Sequence, residues 1–341
     1  MEDESHIVDA EYSLKFDLTP AQKEVSDKLC ECIDRKRNVL LEAVCGAGKT
    51  ELVFEVIAQR LKKGKKVGFT IARRQVVLEI AERLQKAFTH LRVVPVCQGY
   101  TKVLSADIII CTTHQLFRFR NRFDLLIIDE PDAFPFKGDE TLKAIALNSC
   151  KGNVIYMTAT PDRDLKNMAY EGKLEHLVLS RRPHGHDLCV PEVFYGNKRE
   201  MALKGIRWLR RQLKTGKKVL LFVSSMSRGK KLERLLKPFV KCCYISSKTD
   251  GRDEIIADFR RGRYSVCIAT LILERGITIE NVRVLVWKRE SQVFDESSLT
   301  QISGRVGRSF VYPEGECLFL CEGRSENVDA CLESLRRANG Y

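Results

Sequence analysis

No apolar run in this sequence approaches the roughly 18–20 residues that a membrane-crossing helix requires. The opening residues Glu2, Asp3 and Glu4 are acidic, where a secretion signal is basic and then apolar. Low-complexity tracts and short internal repeats are missing as well. With 44% hydrophobic and 30% charged residues, the composition excludes a disordered or fibrous chain. The close cysteine pairs, Cys30/Cys32 and Cys242/Cys243, lack the C-x-x-C spacing of a structural zinc site, so no zinc is expected in this chain. These absences predict a protein made and kept in the cytosol, without a transmembrane segment.

Positive charge, by contrast, is abundant. Lysine plus arginine number 58 against 45 aspartate plus glutamate, a net charge of +13. Such an excess favours a polyanionic partner, because neutralising phosphates releases counterions. A basic enzyme without that partner fits the charge equally well. The 13 cysteines fall mostly in apolar runs, as at Cys111 and Cys267, and read as small core hydrophobes in a reducing compartment. A length of 341 residues suits two domains, each able to bury its own core.

Short apolar runs alternate with amphipathic stretches. Strands are predicted at 38–44, 66–72, 92–97, 107–113, 124–130 and 153–160. Between them, Val77, Ile80, Ala81 and Leu84 share one face of a helix over 76–88. A linker with Pro, Gly and charge is predicted at 180–190. Strands then follow at 218–224, 241–246, 265–270, 283–288 and 316–322, with helices at 198–214, 227–238, 250–261, 295–306 and 326–337. The alternation predicts an α/β chain: mainly parallel sheets covered by helices, in two domains of similar plan, 1–183 and 184–341.

The first strand runs into Cys45-Gly46-Ala47-Gly48-Lys49-Thr50 and then a helix over 51–61, the setting of a phosphate loop. Glycines let the backbone curl its N–H groups around one phosphate, and the helix start adds its dipole. Lys49 would reach the β- and γ-phosphates of ATP, and Thr50 would hold Mg²⁺. Ala43 occupies the place of the usual first glycine. The apolar strand Leu125-Leu126-Ile127-Ile128 ends in Asp129 and Glu130. Asp129 is the candidate Mg²⁺ ligand and Glu130 the candidate general base that polarises the attacking water. Thr158 and Thr160, on either side of Ala159, offer hydroxyls that would link these carboxylates to the inter-domain cleft. Arg305 and Arg308, three apart on one face of the predicted helix, are candidate arginine fingers. In isolation, a solvated basic helix face fits them as well.

Taken in order, these motifs resemble those of superfamily-two helicases over nearly the whole chain. The resemblance implies two tandem RecA-like P-loop domains, an ATP-binding lobe at 1–183 and a second lobe at 184–341, with the ATP site in the cleft between them. Gln22 resembles the glutamine that reads adenine. Thr70-Ile71-Ala72-Arg73-Arg74 and Thr112-Thr113-His114-Gln115-Leu116 resemble strand-binding motifs of the first lobe. Asp129-Glu130-Pro131-Asp132 matches the DExD/H pattern, and Thr158-Ala159-Thr160 the coupling motif. Ala269-Thr270 with Glu274-Arg275-Gly276-Ile277-Thr278 resembles the second-lobe motif that touches both ATP and DNA. The family pattern implies that Gly46, Ala47, Gly48, Lys49 and Thr50 bind ATP and that Gly276 approaches its ribose. It further implies that Gln301 senses the γ-phosphate or its water. Arg73, Arg74, Thr112, His114, Ser224, Ser225 and Thr270 would hold a single strand, mostly through phosphates. Each of these seven reads equally well as an ordinary surface or cap residue.

A narrower resemblance rests on Thr-Thr-His-Gln-Leu at 112–116, Asp-Glu-Pro-Asp-Ala-Phe-Pro-Phe at 129–136 and Leu-Glu-Arg-Gly-Ile-Thr at 273–278. These segments are similar to the ComFA family, the late competence ATPases of Gram-positive bacteria. That implies a motor moving single-stranded DNA during natural transformation, at the inner face of the membrane beside the uptake channel. The implied partners are ComFC and DprA. The family usually carries a four-cysteine zinc module ahead of the motor, and this sequence has none. A shortened chain, a zinc-free variant and a relative with another task all remain open. So do a PriA-like restart or repair helicase, an ATP-gated nucleic-acid-binding switch without translocation, and an RNA substrate.

Overall fold

The structure is a computed structural model describing residues 8–271, 279–288 and 293–341. It comprises two compact units, 1–183 and 184–341. Among the described residues no helix is long and apolar enough to cross a membrane.

Unit 1 contains α1 (Pro20–Asp34), β1 (Val39–Ala43), α2 (Lys49–Leu52), α3 (Phe54–Lys62), β2 (Val67–Ile71), α4 (Arg74–Ala87), β3 (Val93–Val96) and β4 (Ile108–Thr112). A 3-10 helix over Thr113–Arg118 leads to β5 (Phe123–Asp129), α5 (Glu140–Ser149), β6 (Cys150–Thr158), α6 (Arg163–Tyr170) and β7 (Glu175–Leu179). The seven strands form one parallel sheet in the order β3-β4-β2-β5-β6-β1-β7.

Strand periodicity explains the unbroken apolar runs. Leu41, Ile110, Leu125 and Ile127 face the layer of α1, α3 and α4. Leu40, Ile109, Leu126 and Ile128 face the opposite layer, with Leu142 of α5 and Leu165 of α6. Both faces are buried, so both sets of alternate positions are mostly apolar.

Unit 2 contains β8 (Glu192–Tyr195), α7 (Lys198–Lys214), β9 (Lys218–Val223), α8 (Met226–Leu236), β10 (Cys242–Ile245), α9 (Arg252–Arg260) and β11 (Val266–Ala269). β12 (Val282–Lys288), α10 (Glu296–Ser303), β13 (Cys317–Cys321) and α11 (Glu326–Asn339) complete it. Its six strands are parallel in the order β10-β11-β9-β12-β13-β8. One core face packs Met201, Trp208 and Leu209 of α7 on Val219, Leu221, Leu285 and Leu318. The free cysteines are mostly buried, as small hydrophobes would be.

The two-domain parallel α/β class is the one the alternation predicts. Two strands escape the sequence reading, β7 and β8. Both are sheet edges with half-exposed residues, and each carries only three consecutive apolar residues. Two helices differ from expectation. The helix expected over 51–61 begins at Lys49 and is interrupted at Val53. That expected over 295–306 ends at Ser303, so Arg305 and Arg308 do not share a helix face; they lie in the turn beyond it, where Gly307 is left-handed (φ 68°).

Candidate functional site

The candidate phosphate loop is built by β1, its turn and α2. Gly46 and Gly48 adopt φ of 84° and 80°, a region costly for residues bearing a Cβ. Gly48 is also pressed by its neighbour: a Cβ there would sit 2.8 Å from Gln22 Nε2. Gln22 is buried in the first turn of α1, whose N-cap is Thr19. Its Oε1 accepts from Thr19 N at 2.9 Å, and its Nε2 donates to the Ala47 carbonyl at 2.8 Å. One amide therefore caps the helix and fixes the loop. A second donor and a second lone pair remain in its repertoire for a base edge. Lys49 Nζ folds back on the Ala43 carbonyl at 2.8 Å, and Thr50 is buried beside it.

The carboxylates come from β5, two strands from β1. Met157 of β6 is in register with both Asp129 and Leu41. At the usual strand spacing, Asp129 therefore lies about 10 Å across the sheet from Leu41, near the strand end that launches the loop. Glu130 turns the chain off the sheet. It is left-handed (φ 55°), and its N–H donates to the Met157 carbonyl at 2.8 Å. A bulky residue held there is strained, and such strain concentrates at functional positions.

Asp132, quoted in the motif without a role, is the hub of this edge. It is buried, and it accepts from the Thr158 hydroxyl and, at 2.8 Å, from the Thr160 hydroxyl. Thr158 Oγ1 in turn accepts from Thr160 N at 3.0 Å. The signal available in the sequence was the spacing: a carboxylate two residues past Glu130 and a Thr-x-Thr ending the next strand.

In unit 2, Gln301 is buried on α10 and Arg305 in the turn after it. Arg308 Nε donates to the Gly304 carbonyl at 2.7 Å. Gly276 and the rest of 273–278 lie outside the described residues.

The strand-contact candidates gather at the C-terminal ends of neighbouring strands in each sheet. In unit 1, Arg73 and Arg74 follow β2, Thr112 ends β4 and His114 follows it. Arg74 Nε donates to the Gln98 carbonyl at 2.9 Å, and its guanidinium lies 5.8 Å from the Tyr100 ring centroid. His114 is exposed on the 3-10 helix. In unit 2, Ser224 and Ser225 follow β9, and Thr270 follows β11. Ser225 caps α8, and Ser224 accepts from Arg228 Nη1 at 2.6 Å. Arg228, one helical turn beyond Ser224, is a cation that sequence reasoning missed.

Comparisons with known proteins agree with this organisation. Residues 15–163 match the family "Type III restriction enzyme, res subunit", and residues 199–310 match the helicase conserved C-terminal domain. The competence protein ComFA of Streptococcus pneumoniae is 35% identical over 94% of this chain and 77% of its own length. ComFA of Bacillus subtilis is 35% identical over 94% of this chain and 72% of its own. Among solved structures, Saccharomyces cerevisiae Dbp5 bound to RNA and ADP BeF3 superposes with a TM-score of 0.68 at 16% identity, covering 95% of this chain and 92% of that one. The fold is thus that of tandem RecA-like helicases, and the enzyme is a helicase-type ATPase. Two helicase domains in order, with this identity along nearly the whole sequence, place the chain in the ComFA family of competence proteins.

Proposed function

We propose that this ATPase couples hydrolysis of ATP to movement of single-stranded DNA, and that its task is DNA uptake during natural transformation. The observation that carries the reading is one sheet edge presenting both a two-glycine loop and a strand that ends in Asp129 and is followed by Glu130. Lys49 binds the β- and γ-phosphates, and Glu130 accepts a proton from the attacking water. Thr50 and Asp129 offer a hydroxyl and a carboxylate, the hard oxygen donors that suit Mg²⁺. Bound Mg²⁺ supplies positive charge at the phosphates. Unit 2 contributes Gln301, Arg305 and Arg308, with Gly276 near the ribose. Asp132, Thr158 and Thr160 transmit the state of the carboxylate strand to β6.

Moving a strand requires contacts that tolerate any sequence. Arg73, Arg74, Thr112, His114, Ser224, Ser225 and Thr270 suit phosphates, and the net charge of +13 supports a polyanion. ComFC, DprA and a membrane uptake channel are the partners this task calls for.

The test is an ATPase assay across single- and double-stranded DNA and RNA of matched length, with single-strand translocation measured beside it. Single-stranded DNA is expected to stimulate turnover most. Lys49→Ala and Glu130→Gln are expected to abolish it. Undiminished hydrolysis in both variants rejects the site, and stimulation without translocation rejects the motor.

A further inference from the structure

The segment joining the two units is bonded to both sets of proposed ATP-site residues. Arg182 lies one residue before the end of unit 1 and is 3% exposed. Its Nε donates to the carbonyl of Cys45, the first residue of the phosphate-loop turn, at 2.8 Å. His184 opens unit 2, and its Nε2 lies 2.9 Å from the carbonyl of Gly307, between Arg305 and Arg308. His184 Nδ1 accepts from the backbone N–H of His186 at 3.2 Å. That bond fixes the tautomer: Nε2 carries the proton and donates to Gly307. The ring also meets Phe310 edge-on at 5.9 Å, and His186 Nδ1 lies 3.3 Å from Glu314 Oε1.

Only Pro183 separates the two anchors along the chain. Its ring locks its own φ and restricts the residue before it, so the backbone between them is stiff. A flexible connector would need neither a buried guanidinium nor a tautomer-specific imidazole.

We infer that Arg182 and His184 are positioning residues of the ATP site: Arg182 sets the phosphate loop, His184 sets the arginine turn, and Pro183 makes the two anchors one strut. The inference rests on the function proposed above. Neither side chain enters the chemistry. Each fixes the carbonyl of a loop that does, so a change at one loop is passed along the strut to the other.

Amide substitutions separate this role from general packing. The Gln amide reproduces a donor at the Nε2 position, and the Asn amide reproduces only the Nδ1 position. His184→Gln is expected to keep near-wild-type kcat with single-stranded DNA. His184→Asn is expected to lose about tenfold in kcat with ATP affinity little changed, as for one lost positioning hydrogen bond. Arg182→Gln is expected to raise KM for ATP by a similar factor. Inserting two glycines between Pro183 and His184 leaves both anchors in place. It is expected to preserve nucleotide binding and the melting temperature, yet to cut DNA stimulation at least fivefold.

Equal kcat in the Gln and Asn variants, or full stimulation after the insertion, overturns the inference while wild-type turnover leaves the proposed function standing. A wild-type chain that hydrolyses no ATP removes both.

Discussion

Thr160 donates its hydroxyl to Asp132 Oδ2 at 2.8 Å, so the end of β6 is fastened to the loop that follows the carboxylates of β5. Thr158, fully buried, shares the same carboxylate. Asp132→Ala removes the acceptor of both hydroxyls. It is expected to cost about 1–3 kcal/mol in stability, the penalty of a buried polar group without its partner. Asp132→Asn retains one acceptor oxygen and is expected to fold with less loss, but with DNA stimulation of the ATPase reduced more than basal turnover. Chemical denaturation and paired ATPase assays check both statements. An Asn variant with wild-type stimulation would show that the network is structural only.

Gln22 offers a cleaner separation, because its two amide ends do different work. Gln22→Glu keeps the acceptor for Thr19 N and loses the donor to Ala47. Nucleotide affinity is expected to fall about tenfold, and the melting temperature is expected to drop as well, because the new carboxylate is buried against the Ala47 carbonyl. Gln22→Ala loses both, adding about 1 kcal/mol of destabilisation from the broken cap. Titration with a fluorescent ATP analogue and thermal melts measure the two effects.

Arg73 and Arg74 are expected to act through phosphates. Replacing either with Ala should weaken single-stranded DNA binding similarly across sequences. It should also flatten the salt dependence, by about 0.7 in slope for each phosphate that the variant leaves unneutralised. An unchanged slope with weaker binding assigns the arginine to folding of its loop, a role the Arg74 bond to Gln98 makes available.

Alkaline pH is expected to destabilise the protein. Burial pushes the Cys111 thiol from its ordinary 9.0 up to about 12 and Cys30 likewise to about 12, while Cys321 rises to about 11. The folded values lie above the unfolded ones. Their contribution is therefore complete below about pH 8.5 and is lost as pH climbs through the folded range. Melting temperatures recorded from neutral pH to about 10.5 should fall above 8.5, and Cys111→Ala should make the fall shallower. A level profile contradicts this.

The parallel class and most central strands were legible because both faces of each sheet are buried, which forces continuous apolar runs such as Leu125–Ile128. The candidate phosphate loop and carboxylates stand out in the sequence because the chemistry proposed for them demands particular residues at particular spacings. Edge strands β7 and β8 were not, since half their positions face water. Asp132, Arg182 and Arg228 escaped for another reason. Each acts on a group far away in sequence or one helical turn along, and periodicity carries no record of such a partner. The arginine turn was misread as helix because the Gly304 and Gly307 that end α10 sit inside a motif read for its arginines.

The place of β1 in its sheet has a consequence for synthesis. It lies between β6 and β7, the last strands of unit 1 to be made, and β8 similarly pairs with β13. Contacts this distant in sequence close late and slowly. On the ribosome the phosphate loop therefore emerges early but has no finished sheet to stand on until Leu179 has been added, and the nascent chain holds that strand unsatisfied for most of the time unit 1 takes to appear.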